Sequence, residues 1–266
     1  AQVFQRSGTT QVSWKGDGVT SVADFDGKRI GSWGFGNEWE IFAAMAADGV
    51  DASSVSVVTQ DFSMNALLDG DVDAAQAMTY NELAQVLEVV NPDTGKLYTM
   101  DDLDVVSYED TKGAMLQDAI WADTQRLADD PAYADAAVRF LKAITKGWLY
   151  ARDNVEKSAD TVWDIASTAE AAFPIGATHQ LWQLNEVNKL IWTDVPFGTI
   201  EQDAWDQTVD GAIAAVNQDG MHLITEEPPA SAFSNEYIEK ALAELKEEGV
   251  SVDGAYTPID VTLTEG

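Results

Sequence analysis

The sequence predicts an α/β fold in which a parallel-rich sheet is flanked by helices. Three observations predict it: strand and helix patterns alternate through the first half, helical apolar stripes dominate the second half, and glycines follow the helix patterns. A chain of 266 residues is long enough for a large core and for one or two domains.

The first half reads as alternating strands and helices. Strands are predicted at Lys28–Trp33, Ser54–Val58, Val72–Met78 and Leu103–Ser107. Helices are predicted at Asn37–Asp48 before Gly49, at Ser63–Leu68 before Gly70, and at Asn81–Val89 before the Asn91–Gly95 turn. Strands that alternate with helices at this spacing favour a parallel sheet with helices on both faces.

Helices dominate the prediction for the second half. One apolar stripe at helical spacing is formed by Tyr133, Ala137, Phe140, Leu141, Ile144 and Trp148. Thr199 and Gln202 have the spacing of a capping box that opens a helix carrying Trp205. A last amphipathic helix carries Ile238, Ala241, Leu242 and Leu245 and stops at Gly249. The segment Glu226–Ala230 is the best linker candidate.

Composition excludes several classes of function. Forty-six acidic residues face fifteen basic ones, and the formal net charge of −31 makes nucleic acid an unsuitable partner. The dispersed acidic residues lead to the hypothesis of a salt-adapted source organism, with a merely acidic protein as the alternative. The chain contains no cysteine, which excludes disulfides and thiolate metal sites. It also lacks an apolar run of about 18 residues, so no direct membrane insertion is predicted.

The familiar cofactor and catalytic motifs are not matched. Gly31, Gly34 and Gly36 resemble a dinucleotide fingerprint, but Trp39 occupies the third glycine position. No phosphate-loop pattern occurs, and neither His179 nor His222 lies in a zinc motif, so each is interpreted as a surface or packing residue. The sequence therefore predicts no cofactor, no metal site and no catalytic residue.

Two turns that follow predicted strands form the candidate binding site. The first consists of Trp33, Gly34, Phe35, Gly36, Asn37 and Glu38, and the second of Thr79, Tyr80, Asn81 and Glu82. In open parallel sheets the carboxyl ends of the strands form the ligand crevice, and glycines let a backbone approach a ligand closely. The alternative interpretations are a tight packed turn for the first segment and a helix cap for the second.

The order of these segments resembles a known family. The runs GKRIGSWGFGNEWEIFAAM, VTQDFSMNALLDGDVDAAQAMTYNELAQVL, YEDTKGAMLQDAIWA and VRFLKAITKGWLYARDN are similar to solute-binding proteins of ABC importers related to thiamine-pyrimidine-precursor synthases. The likeness covers roughly residues 1–160 well and the remainder loosely. The element Leu67, Gly70, Asp73, Ala74 and Ala75 is shared widely among importer receptors.

The resemblance implies a periplasmic-binding-protein fold of the second type, with a ligand held between two lobes. It implies that residues 1–18 end lobe one and form the hinge, that 19–107 form lobe two, and that 108–266 return to lobe one. It further implies that the family's N-terminal segment is missing, so that lobe one is incomplete. Gln117 and Asp118 are then expected at the second crossing between the lobes.

The function implied is an extracytoplasmic receptor, periplasmic or extracellular and membrane-anchored, that delivers a small-molecule ligand to an ABC permease. A thiamine-precursor pyrimidine is the first expected ligand and riboflavin the second. A pyrimidine-phosphate synthase is disfavoured because the family's cysteine-rich iron motif is missing. A receptor for sulfonates or other organic anions is disfavoured because neither turn contains Lys or Arg.

Overall fold

The computed structural model describes residues 1–168 and 175–266. The strands are β1 (Gln2–Phe4), β2 (Thr9–Trp14), β3 (Arg29–Ser32), β4 (Ser56–Thr59), β5 (Ala75–Met78), β6 (Val90–Asn91), β7 (Lys96–Leu97), β8 (Leu103–Ser107) and β9 (Gln117–Ala119). The α-helices are α1 (Trp39–Asp48), α2 (Asn65–Leu68), α3 (Glu82–Leu87), α4 (Thr124–Asp129), α5 (Pro131–Asp153), α6 (Val155–Ala166), α7 (Ala177–Ile191), α8 (Gln202–Ala214) and α9 (Glu236–Glu247).

A three-stranded sheet, β5-β2-β8, and a two-stranded parallel sheet, β3-β4, are joined by one parallel bridge between Ile30 and Ala74, which gives the strand order β4-β3-β5-β2-β8. Strand β3 pairs in parallel with β4, and Gly31 N donates to Ala74 O (2.8 Å) to join β3 to β5. Strand β2 runs antiparallel to both β5 and β8. The parallel strands therefore end at one edge of the sheet, and β2 begins at that same edge.

Strand β2 lies inside the sheet although the sequence analysis predicted no strand there. Its buried polar side chains conceal the strand pattern, but they are satisfied by the structure. Gln11 Nε2 donates to Gly31 O (2.9 Å) and Ala74 O (3.0 Å), and its Oε1 accepts from the hydroxyl of Tyr108 (3.0 Å). Thr10 Oγ1 donates to Ala77 O (2.8 Å). Burying these groups is tolerated because each has a partner.

The sheet is covered on both faces, and we call the sheet with α1, α2, α3 and α8 the sheet lobe. One covering core contains residues of β3, α1 and Ala215, and the other contains residues of β5, α2 and α3. Helix α1 confirms the predicted helix and its stop, since Gly49 ends it at φ 73°. Helix α8 differs from the predicted domain division: it packs against α1, whereas the sequence analysis assigned all of 108–266 to lobe one.

Strands β1 and β9 and helices α4–α7 and α9 form what we call the helical lobe, and β6 and β7 form a separate two-stranded sheet. Its core includes buried residues of α5, α7 and α9, namely Leu141, Leu149, Leu190, Ile191, Ile238, Ala241 and Leu245. The predicted α9 stripe is thereby confirmed. On α5 the predicted stripe holds for Leu141, but Phe140 is exposed. The predicted capping box is wrong, because Thr199 Oγ1 donates to Pro196 O (2.8 Å) and Glu201 is the N-cap of α8.

The two lobes are joined by chain crossings and by side chains of α7. Strands β1 and β9 pair antiparallel, with Phe4 opposite Gln117, and they lead into the sheet lobe. The indole N–H of Trp182 donates to Thr79 O (2.9 Å) from α7 to the end of β5. Within residues 1–168 and 175–266, no helix is both long enough and apolar enough to span a bilayer.

Candidate functional site

Both predicted turns lie at the same edge of the sheet, on adjacent strands. The side chain of Gln76 in β5 connects them. Its Oε1 accepts from Ser32 Oγ (2.8 Å) and from Trp33 N (3.2 Å), and its Nε2 donates to Asn37 O (2.8 Å). This buried amide therefore holds the turn after β3 against the strand that leads to Tyr80.

The turn after β3 uses three consecutive residues with positive φ. Gly34, Phe35 and Gly36 have φ values of 71°, 56° and 105°. Glycine adopts this region freely, but Phe35 does so at a cost in backbone strain. Asn37 Nδ2 donates to Gly34 O (2.9 Å), and Glu38 Oε2 accepts from Gly36 N (2.9 Å). The result is an aromatic ring that is 99% exposed at the tip of a braced turn.

Trp33 is the buried aromatic of this turn, and its polar atom has no partner. Its side chain is 4% exposed, and the indole Nε1 lies buried without a hydrogen bond. The ring stacks on Phe62, with centroids 6.4 Å apart and planes 22° apart, and Phe62 itself is 58% exposed. An unpaired buried donor costs about 1–3 kcal/mol, and an acceptor could relieve this cost only if the side chains that cover the indole moved aside.

The turn after β5 packs more closely against other residues of the protein than the turn after β3 does. Tyr80 meets Phe4 edge to face at 5.8 Å, and Gly8 lies so close that a Cβ there would come within 3.3 Å of the tyrosine ring. Burial raises the pKa of the Tyr80 hydroxyl, and the charges of Asp118 and Glu82 raise it further. Tyr80 is therefore a neutral phenol at the junction of the two lobes.

Asn81 and Glu82 bind partners within the protein. Asn81 Oδ1 lies 2.9 Å from His179 Nε2, and its Nδ2 donates to Glu82 Oε1 (2.9 Å). Glu82 Oε2 accepts from Met78 N (2.9 Å), and burial raises the pKa of this carboxyl. These two side chains thus brace the turn, and their polar atoms are occupied in this structure.

Gln117 lies where the second crossing meets the sheet edge. Its Oε1 accepts from Gly8 N (3.0 Å), and its Nε2 donates to Thr9 Oγ1 (2.6 Å) and to Glu40 Oε2 (2.9 Å). Burial raises the pKa of Glu40 to about 7, against several hydrogen bonds that lower it. Asp118, the next residue, is exposed and has a φ of 53°. The predicted crossing residue is therefore the centre of a buried polar network.

Comparison with known proteins gives the family. The family model described as "NMT1/THI5 like" matches residues 1–158, which is more than half of the chain. The chain belongs to the NMT1/THI5-like family. Comparison with curated proteins gave no match.

The NMT1/THI5-like chain aligns with solved structures of sulfonate-binding proteins. The periplasmic aliphatic sulphonate binding protein SsuA from Escherichia coli is 11% identical with a TM-score of 0.52, and the alignment covers 98% of this chain and 70% of that one. A putative sulfonate ABC transporter protein, SsuA from Methylobacillus flagellatus, is 15% identical with a TM-score of 0.51, covering 98% and 73%.

A third structure, the alkanesulfonate-binding protein SsuA from Xanthomonas axonopodis pv. citri bound to MOPS, is 12% identical. Its TM-score is 0.44, and this chain spans 58% of its length. The likenesses to the E. coli and Methylobacillus structures show the fold: the NMT1/THI5-like chain has the periplasmic-binding-protein type of α/β architecture.

Two cavities in the described part of the NMT1/THI5-like chain are lined by residues other than the predicted site residues. One cavity of about 550 Å³ lies between residues 152–157 and the C-terminal segment around Tyr256. Another of about 250 Å³ lies between the end of α1 and the turn at 216–220. The candidate residues instead form a wall at the sheet edge, which is open to solvent at Phe35.

Phe62 and His179 contact residues of this wall but were not predicted as site residues from the sequence. Phe62 follows β4, whose carboxyl end lies at the same edge, and an aromatic after a parallel strand was the signal available. His179 gave no local signal, because its contacts with Asn81 and Glu88 join residues about a hundred positions apart. Among the described residues, no group of three or more His, Asp or Glu side chains is arranged to hold a metal ion.

Proposed function

We propose that the chain is the solute-binding receptor of an ABC-type importer and captures a small aromatic nitrogen heterocycle at the sheet edge. The observation that carries the proposal is the buried, unpaired indole N–H of Trp33 beside the exposed rings of Phe35 and Phe62. Family membership and fold support the receptor class.

The chemistry of the wall suits a flat, hydrogen-bonding ring. Phe35 and Phe62 offer aromatic faces, and offset stacking contributes about 0.5–1.5 kcal/mol beyond burial. The indole N–H of Trp33 is buried in this structure, and once the turn opens it would donate to a ring nitrogen or carbonyl oxygen of the ligand. A thiamine-precursor pyrimidine presents such acceptors on a planar ring, and riboflavin, the alternative, presents them on a larger one.

The remaining predicted residues take different roles in this proposal. Gly34, Gly36, Asn37 and Glu38 shape the first turn, and Tyr80 forms the adjoining wall. Gln117 and Asp118 lie at the crossing where the lobes would rotate as the ligand is enclosed. Asn81 and Glu82 support the second turn, since their polar atoms already bind protein partners.

The receptor proposal extends to location and partners. An importer receptor works outside the cytoplasm and delivers its ligand to the transmembrane subunits of a permease, with no cofactor and no catalytic step. The synthase alternative would require turnover with bound iron, and the sequence contains no cysteine to match the family's iron motif.

The test is a ligand panel on the full chain. A formylated aminopyrimidine, riboflavin and an aliphatic sulfonate are titrated separately while heat and tryptophan fluorescence are recorded. We expect saturable binding of the pyrimidine, with a fluorescence change because Trp33 lies at the site. No response to any of the three at millimolar concentration would overturn the receptor proposal.

A sulfonate receptor is the second candidate, and Arg6 is the observation that favours it. This exposed cation directly precedes Ser7, whose N–H donates to Glu109 Oε2 (2.8 Å). Burial raises the pKa of the Glu109 carboxyl, and the charge of Arg6 opposes that shift. If a sulfonate binds instead, Arg6→Gln should weaken its binding about tenfold or more. The same variant should leave pyrimidine binding unchanged.

A further inference from the structure

His179 is a buried ring between groups of the sheet lobe. It lies on α7 of the helical lobe and has no exposed surface. Its Nδ1 is 2.9 Å from Glu88 Oε2, and its Nε2 is 2.9 Å from Asn81 Oδ1. Through Asn81 the chain of hydrogen bonds continues to Glu82, which is also buried.

The donors and acceptors in the hydrogen-bonded series Glu88, His179, Asn81 and Glu82 determine which side chains carry protons. An ionised carboxylate only accepts hydrogen bonds, and an amide has one accepting and one donating end. Asn81 turns its Nδ2 to Glu82 and therefore its oxygen to His179. In this amide orientation both ring nitrogens face acceptors, which a doubly protonated ring would satisfy.

A second arrangement would also satisfy these bonds. If the Asn81 amide were reversed, its nitrogen would donate to a neutral His179 and its oxygen would accept from a protonated Glu82. The two arrangements contain the same number of protons and differ in which side chain holds one of them. A carboxylate of Glu88 that is 8% exposed favours a positive charge on His179, whereas burial of Glu82, which raises the pKa of its carboxyl, favours the second arrangement.

We propose that His179 is a positioning residue, held as an imidazolium by Glu88 and Asn81, which keeps Glu82 ionised and fixes the turn at 79–82. In this arrangement every link of the chain is a hydrogen bond to a charged group, which is stronger than one between neutral groups. The consequence for ligand binding rests on the proposed function, but the charge of the ring does not.

The first test measures the charge of the ring without any ligand. The chain is labelled with ¹⁵N at histidine, and exposed His222 serves as the second ring in the same spectrum. At pH 7.5 we expect the two ring nitrogens of His179 to resonate close together, as in an imidazolium. A widely separated pair of resonances, as in a neutral ring, would overturn the inference.

A matched variant makes the measurement sharper. In Glu82→Gln the new amide can donate to Asn81 Oδ1 while still accepting from Met78 N, so Asn81 should reverse. We therefore expect His179 to become singly protonated in this variant. Unchanged resonances would overturn the link between His179 and Glu82.

The second test concerns the turn. His179→Gln keeps a donor but removes the charge and the bond to one partner, and should weaken pyrimidine binding about tenfold. Wild-type affinity in this variant would overturn the positioning role. If the wild-type ring is doubly protonated yet no ligand binds to the wild type, the proposed function fails while the assignment of the charge stands.

Discussion

Trp33 and Trp182 are two indoles near the same sheet edge with opposite hydrogen-bonding outcomes. Trp182 donates to Thr79 O (2.9 Å), whereas the N–H of Trp33 has no partner. A satisfied bond contributes about 1 kcal/mol to stability, whereas an unsatisfied buried donor costs stability. Variants of the two tryptophans therefore separate the proposed ligand-binding role of Trp33 from the structural hydrogen bond of Trp182.

Replacing each indole with phenylalanine tests this contrast. Both variants lose buried area, but Trp182→Phe also leaves the Thr79 carbonyl without its donor, so it should be less stable than Trp33→Phe by about 1 kcal/mol. Trp33→Phe should bind the pyrimidine about five- to tenfold more weakly. Urea unfolding and calorimetric titration measure the two effects. A larger stability loss in Trp33→Phe would contradict the assignment.

Glu40 is the residue whose ionisation should make stability depend on pH. Burial raises its pKa from 4.5 to about 7 in the folded chain. The folded state holds the Glu40 proton more tightly than the unfolded state does. Protonated Glu40 therefore contributes to the free energy of unfolding in full below pH 4.5, and this contribution is lost as pH rises through about 7.

Glu40→Gln removes this titration. The stability of the variant relative to wild type should improve between pH 4.5 and pH 8 by an amount of order 1–3 kcal/mol. Urea unfolding at several pH values measures the difference, with each wild-type curve as the reference for its own pH. Parallel stability profiles for variant and wild type would show that the carboxyl is not titrating in this range.

At the scale of elements, two glycines show how tightly neighbouring segments pack. A Cβ at Gly113 would overlap Ala44 N and lie 2.5 Å from Ala44 Cα, so the segment before β9 touches the backbone of α1. Gly147 lies inside α5, and a Cβ there would meet nothing within 4 Å. The first glycine is required by packing, whereas the second only weakens a helix.

Alanine at the two positions should therefore have opposite effects. Gly113→Ala should destabilise the fold by about 2 kcal/mol or more, because a backbone contact cannot yield as a flexible side chain does. Gly147→Ala should stabilise it by about 0.5–1 kcal/mol, because alanine restricts the unfolded chain and favours the helix. Thermal and urea unfolding compare them. Equal changes in the stability of the two variants would mean that the segment around Gly113 moves away from α1 to accommodate the new Cβ.

At the scale of the whole molecule, the net charge of −31 is the dominant physical feature. Few cations offset it, and some are shared, as where Lys142 contacts both Glu244 (2.9 Å) and Glu248 (2.5 Å). Repulsion among so many carboxylates opposes the compact state, and salt screens it over a Debye length of about 10 Å at 0.1 M and about 3 Å at 1 M.

We expect the melting temperature to rise as sodium chloride is increased from 0.1 M to 2 M. Most of the rise should occur at the lower concentrations, because screening of surface charges is nearly complete near 1 M. A globular protein of near-zero net charge, melted in the same buffers, controls for general salt effects. Equal melting temperatures in dilute buffer and molar salt would contradict the hypothesis of salt adaptation.

The sequence by itself determined the local elements whose patterns are short-range. The strands at 29–32 and 75–78, the helix at 39–48 with its glycine stop, and the two turns that follow strands were all predictable. Periodicity, β-branching and cap residues act over a few positions and are read directly from neighbours in the chain. Because strands and helices alternate along the chain, the strands were expected to be parallel. Turns that follow parallel strands lie at the same edge of the sheet.

Only the tertiary structure decided the placement of β2, the packing of α8 on α1 and the partners of His179. Strand β2 is rich in polar residues, and its burial is tolerated because Gln11 finds partners on β3, β5 and the segment after β8. The contacts of His179 and α8 join residues far apart in sequence. Such pairings depend on loop closure and on the competition among buried groups for partners, which local patterns do not encode.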